Sequence, residues 1–143
     1  MVLIGGLHHV PFHAKEVVKR LAPALKPGGF FINFEPTHGN TITQKVRERI
    51  YKKNELFDEE TERAFSVKEW RHMFEQVGLE GHCVLFPGLL SYVLYYKPDA
   101  FPILNDGSLW LVNATFALDR IFFGTILGQW LSFASFGVWH RPE

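Results

Sequence analysis

The sequence predicts an α/β fold built on parallel strands. Val2–Ile4 and Phe30–Glu35 are short apolar runs without polar alternation, as expected of strands buried on both faces. Between them, Ala14–Leu25 places Val17, Val18, Leu21 and Leu25 on one side of a helix. The links are short, so strand, helix and strand form a unit with a right-handed crossover and parallel neighbours.

Gly5-Gly6 closes the first strand, and Leu7–Pro11 reads as a loop. Pro23 kinks the helix or forces a tight last turn, and Lys26-Pro27-Gly28-Gly29 stops it. Pro36 ends the second strand. Thr41 with Gln44 forms a capping box that starts a helix over Thr41–Lys53. That helix is basic (Lys45, Arg47, Arg49, Lys52, Lys53), and the next stretch is acidic (Glu55, Asp58, Glu59, Glu60, Glu62). Two solvated faces in loose attraction explain this pattern, and a lid over a site is the sharper alternative. Ser66 and Glu69 form a second capping box, before Val67, Trp70, Phe74 and Val77 at helical spacing and a stop at Gly78. His82–Phe86 and Leu90–Tyr96 read as an antiparallel hairpin around Pro87-Gly88-Leu89.

Between Gly107 and Trp139 the only charges are Asp119 and Arg120. Ile121–Trp139 is uncharged and long enough to span a bilayer, but its glycines, serines, Thr125 and Gln129 dilute the signal and no basic cluster precedes it. The segment therefore reads as one or two core-packing helices with a surface patch for a partner or an apolar substrate. The organisation expected is 1–98 as one α/β unit, with 99–143 as a hydrophobic, mainly helical extension packed on it.

The 143 residues are 47% hydrophobic and 21% charged, enough apolar material for one real core. Fifteen basic residues balance fifteen acidic ones, which argues against a general nucleic-acid binder. The single cysteine, Cys83, excludes an internal disulfide and a Cys-rich zinc site and fits a reducing, cytoplasmic setting. The N-terminus lacks a basic leader.

Leu3-Ile4-Gly5-Gly6-Leu7-His8-His9-Val10 resembles the fourth strand and following loop of class I S-adenosylmethionine (SAM)-dependent methyltransferases of the ubiquinone/menaquinone-biosynthesis type. Leu21–Glu35, centred on Leu25-Lys26-Pro27-Gly28-Gly29, is similar to their helix, turn and fifth strand. Phe65–Trp70 running on to Val77-Gly78-Leu79 is similar to their last helix before the terminal hairpin. The resemblance covers about residues 2–97. It implies a partial Rossmann-like sheet, strands four to seven of the family's order, with Val2–Ile4 beside Phe30–Phe34, Leu90–Tyr96 antiparallel to the latter and His82–Phe86 at the far edge. It implies SAM as the cofactor of the complete domain and a small-molecule or lipid-like acceptor. The family grips SAM with a glycine-rich loop and an acidic residue that holds the ribose, and the sequence has no such loop before a helix. A fragment that binds SAM poorly and is inactive alone is the expectation. The rival reading is a non-catalytic half-domain, an oligomerising or partner-binding module that pairs with another copy or another chain, with the exposed first strand as the route to a homodimer.

His8 and His9 follow the carboxyl end of a parallel strand, where ligands bind in open α/β sheets, and an imidazole there is suited to deprotonate an acceptor. They are the candidate catalytic residues. The resemblance places Gly6 and Leu7 beside the methyl donor. Glu35 and His38, at the end of the second strand, are candidate substrate contacts, with loop capping as the structural role of Glu35. His13 suggests a metal triplet with His8 and His9, but adjacent residues diverge and no carboxylate completes the set, so no metal is expected. Tyr92, Tyr95 and Tyr96 read as packing aromatics and Cys83 as a small buried hydrophobe.

Overall fold

The computed structural model describes residues 1–51, 62–96 and 108–143. The chain forms β1 (Val2–Ile4), α1 (Ala14–Leu21), β2 (Phe30–His38), α2 (Thr41–Tyr51), β3 (Phe65–Ser66), α3 (Val67–Glu75), β4 (Glu80–Leu85), α4 (Leu109–Arg120), α5 (Ile126–Leu131) and β5 (Ala134–His140). The sheet runs β1-β2-β5-β4, with β3 paired to the end of β2. β1 and β2 are parallel neighbours, in register from Val2 opposite Ile32 to Ile4 opposite Phe34. β5 is antiparallel to both β2 and β4.

The βαβ unit forms as its sequence dictates. Pro23 converts the end of α1 into a tight turn over Ala22–Ala24. Gly28 adopts a φ of 72°, which reverses the chain into β2. The C-terminus pins this turn: Gly28 N–H donates to the Arg141 carbonyl, and Arg141 N–H donates to that of Gly29. The Arg141 guanidinium also donates to the carbonyls of Ala22, Pro23 and Leu25. One face of the sheet carries α1 and α3 over a core that includes Leu7, Val18, Phe31, Phe65, Trp70, Phe74 and Trp139. Burying a side chain the size of Val18 stabilises the fold by about 1.5–3 kcal/mol.

Several expectations need correction. Pro36 does not end β2, which continues to His38. The even-numbered amides of β2 face β1, as Ile32 N–H to the Met1 carbonyl shows, and the β1 pairing stops opposite Phe34. A proline at 36 therefore forfeits no ladder bond.

The cap of α2 is Asn40, not Thr41: Asn40 Oδ1 accepts from the amides of Ile42 and Thr43, at 2.7 and 3.0 Å. Ser66 caps α3 as expected, accepting from Glu69 N–H at 3.1 Å, and Gly78 ends that segment at a φ of 78°.

Leu90–Tyr96 is helical, with a π-helical turn over Tyr92–Tyr96. The buried Asp119 carboxylate accepts from the amides of Leu90 and Ser91 and from the Ser91 hydroxyl, capping the start of the helix. The place beside β2 goes to β5, whose Ser135, Gly137 and Trp139 face the buried side. Gly137 must be small there, because a Cβ would lie 2.5 Å from Trp139 Nε1 and 2.9 Å from Trp70 Cη2. β4, as expected, lies at the far edge.

The C-terminal segment is therefore not only helical: β5 is an inner strand of the sheet. α4 and α5 are not core helices either. Leu109, Trp110, Ile121 and Ile126 are exposed. No described helix is long and apolar enough to cross a membrane. The expected boundary at 98/99 and the charges Lys52, Lys53, Glu55, Asp58, Glu59 and Glu60 lie outside the described residues. Arg47 is not on a solvated face. It is buried and donates to the carbonyls of Thr37 and Phe133, tying α2 to the junction of β2 and β5.

Candidate functional site

The loop after β1 is organised by one carboxylate. Glu35 is fully buried, and five donors converge on it. Oε1 accepts from Gly6 N–H at 3.0 Å, Leu7 N–H at 2.9 Å and Asn33 Nδ2 at 3.3 Å. Oε2 accepts from His8 N–H at 3.2 Å and bonds His8 Nδ1 at 2.9 Å. With three amides and the Asn33 amide already donating, the carboxylate offers only lone pairs, so the His8 proton sits on Nδ1. Nε2 then keeps its lone pair free. Asn33 is fixed in turn, because Nδ2 also donates to the Leu3 carbonyl and Oδ1 accepts from Trp70 Nε1 at 2.6 Å. A continuous network thus runs from the core tryptophan to the His8 ring. Asn33 had no signal in the sequence beyond being a polar residue in an apolar strand.

Gly5 makes the turn between β1 and this loop, with a φ of 62°. His8 and His9 then lie side by side, ring centroids 4.0 Å apart and inclined by 38°. His9 is half exposed, and its Nδ1 bonds Glu62 Oε1 at 2.6 Å. The segment leading into β3 runs beside the loop: Arg63 N–H donates to the His8 carbonyl at 3.2 Å. Arg63 forms a two-pronged pair with Glu69, with Nη1–Oε2 at 3.0 Å and Nη2–Oε1 at 2.5 Å. The pair holds the Glu69 carboxyl below its ordinary range and raises the Arg63 guanidinium. Glu62 belongs to the acidic run already noted; only the fold shows that it meets His9.

The six sequence-predicted site residues take different places. His8 and His9 are together at the carboxyl edge of β1. Glu35 is beneath them and has no exposed surface, so it holds the loop and the His8 tautomer instead of touching a substrate. Leu7 is a core side chain, and its amide and that of Gly6 are both spent on Glu35. His38 ends β2 next to Ser66 of β3 and is partly buried. His13 occupies the N-cap position of α1, exposed and without a side-chain capping bond, and does not join the cluster.

Burial lowers the His38 pKa from its ordinary 6.5, and Arg47 adds to the effect, outweighing Glu69 and Glu48. The folded state therefore disfavours the charged ring while the unfolded chain accepts the proton. Stability is full above pH 6.5 and falls as pH drops through the folded His38 pKa. The ring proton signals of His38 will titrate with a midpoint below 6.5, and His38→Gln will flatten the acid limb of a denaturation series. A midpoint at or above 6.5 would contradict this packing.

Among the described residues, the loop after β1 does not by itself hold the cofactor of the resembled family. The two amides at the β1 edge that could meet a ligand already bind Glu35. Gly5 serves the turn into the loop through its positive φ of 62°.

No family model matches the sequence, and no curated protein does. Solved structures match its fold. One is a protein of Bacillus halodurans C-125 provisionally classed as a methyltransferase, 17% identical, with a TM-score of 0.56 over 99% of this chain and 68% of its own. Another is the [4+2]-cyclase SpnF, 10% identical, with a TM-score of 0.52 over 99% of this chain and 48% of its own. At these identities the likeness shows the fold alone: the chain has a mixed α/β, methyltransferase-like fold.

Proposed function

We propose that this chain is the acceptor-side part of a SAM-dependent methyltransferase of the ubiquinone/menaquinone-biosynthesis type, acting on a small-molecule or lipid-like acceptor. The Glu35–His8 pair at the carboxyl edge of β1 is the observation that carries this reading. A base needs a fixed tautomer and a rigid support, and the pair supplies both, with the His8 side chain 15% exposed. His8 Nε2 would take the proton of an acceptor hydroxyl, and His9 would orient that acceptor. SAM would bring an activated methyl group and leave little chemistry to the protein beyond alignment and proton removal.

The residues that grip SAM would come from a part of the domain not among these 143. Coverage of only 68% and 48% of the two structural neighbours is consistent with that. β1 lies at the sheet edge, with Val2 and Ile4 exposed. Such an edge suits pairing with the complementing strand or, in the rival non-catalytic reading, with a second copy.

In the domain completed with its SAM-binding half, His8→Gln will slow methyl transfer by roughly 10²-fold or more, and His9→Gln by less. The chain alone will bind SAM weakly. Calorimetry showing a micromolar dissociation constant, about −8 kcal/mol, would overturn the division of labour. Turnover within tenfold of the parent after both histidine changes would show that the pair is structural.

A further inference from the structure

We infer that His8, His9 and Glu62 form a binding site for a divalent late transition metal, zinc or an ion of its class. The sequence argued against such a site, because adjacent side chains diverge and no carboxylate was at hand. The fold removes both objections. The two imidazoles lie side by side, 4.0 Å between ring centroids. Glu62, far away in sequence, brings a carboxylate, and one ligand atom from each of the three residues lies within 4.8 Å of the others. Two imidazoles and one carboxylate with open positions make a donor set that suits zinc and its neighbours.

The support beneath the cluster strengthens the inference. A ligating histidine commonly gives its second ring N–H to a carboxylate, which fixes the tautomer and aims the free nitrogen at the metal. His8 has this arrangement already: Nδ1 is bonded to the buried Glu35, and Nε2 remains for a ligand. His9 and Glu62 are in contact at 2.6 Å, so a metal would replace the proton they share. Both are accessible enough for an ion to reach them, with side chains 52% and 20% exposed. An ion bound here would occupy the Nε2 lone pair that a base needs, so metal binding and proton removal by His8 would exclude one another. The site itself does not depend on the methyl-transfer reading.

The test is titration of the purified 143-residue chain with Co²⁺, followed by visible absorption, and with Zn²⁺ by calorimetry. The expected result is saturable uptake of one equivalent. His9→Ala and Glu62→Gln, both at the surface, will each weaken it about tenfold or more, while His13→Ala leaves it unchanged. Glu35→Gln will weaken it by roughly 10–100-fold through lost orientation of His8. Circular dichroism on each variant separates lost ligation from lost folding. Absence of one-equivalent uptake by the parent chain, affinity unchanged in both His9→Ala and Glu62→Gln, or loss with His13→Ala would each overturn the inference.

Discussion

Glu35→Gln will move the His8 proton from Nδ1 to Nε2 and, under the methyl-transfer reading proposed above, slow turnover of the completed domain by about 10²-fold or more. The change is nearly isosteric, so the effect comes from hydrogen-bond polarity. Glu35 accepts from five donors on two oxygens. A glutamine keeps one oxygen and puts an NH₂ group where the other was. The oxygen is best placed at the Oε1 position, where Gly6 N–H, Leu7 N–H and Asn33 Nδ2 all donate. The NH₂ then faces His8 N–H and His8 Nδ1. The ring can relieve its part of this conflict by accepting at Nδ1, which places the proton on Nε2 and removes the lone pair that would act as base. The His8 amide has no such escape; it is only part-buried, so leaving it unpaired costs up to about 1–3 kcal/mol.

Two measurements check this. Nitrogen–proton correlation spectra of the chain will show His8 protonated on Nδ1 in the parent and on Nε2 in Glu35→Gln. Denaturation will show a loss of up to about 1–3 kcal/mol. A variant that keeps the Nδ1–H tautomer and its parent stability would mean that Glu35 does not set the ring.

How much of this was legible in the sequence depends on the range of each interaction. The βαβ unit was legible because its signals are local: Pro23, Pro27 and the left-handed Gly28 dictate a turn wherever they occur. The carboxyl-edge position of His8 and His9 followed from that unit. Leu90–Tyr96 failed because its aromatic and β-branched residues favour a strand, while its helix depends on Asp119, a cap 28 residues away. β5 was hidden because Ser135, Gly137 and Trp139 occupy buried positions, and a serine or glycine there carries no hydrophobic signal. Gly137 is small because Trp70 and Trp139 fill the space above it, while Ser135 bonds the Thr37 hydroxyl at 2.7 Å. The site divided in the same way. Glu35 was visible as a strand-end carboxylate, but its role depends on amides about 30 residues earlier. Glu62 was one acid among several in a charged run until the fold set it against His9. The structural neighbours add a related lesson: a cyclase and a protein classed as a methyltransferase share this fold, so the reaction must be argued from the loop.

Trp70→Ala will cost about 3–5 kcal/mol and will disturb the candidate site from below. Trp70 has no exposed surface. Its ring meets those of Trp139 and Phe74 edge-on, with centroids 5.2 and 6.0 Å away, while Phe74 stacks on Trp139 at 4.6 Å. Removing it opens a cavity at the centre of the α3 contact with β2 and β5. The rigid strand backbone around Gly137 and Asn33 closes such a hole only in part, so the cost includes both lost transfer energy and residual void. A loss of this size is a large share of the 5–15 kcal/mol that holds a typical domain. Trp70→Phe separates packing from polarity. It keeps most of the ring volume but leaves Asn33 Oδ1 without its donor, so about 1–3 kcal/mol is expected. Asn33 also donates to the Leu3 carbonyl and to Glu35, so loosening its carboxamide loosens the loop. Hydrogen exchange will therefore accelerate at the Gly6, Leu7 and His8 amides in both variants, beyond the rise set by global stability. If those amides exchange in step with the rest of the core, the line from Trp70 through Asn33 to Glu35 carries no coupling. If they exchange faster, the tryptophan is a positioning residue for His8, acting through two intervening side chains.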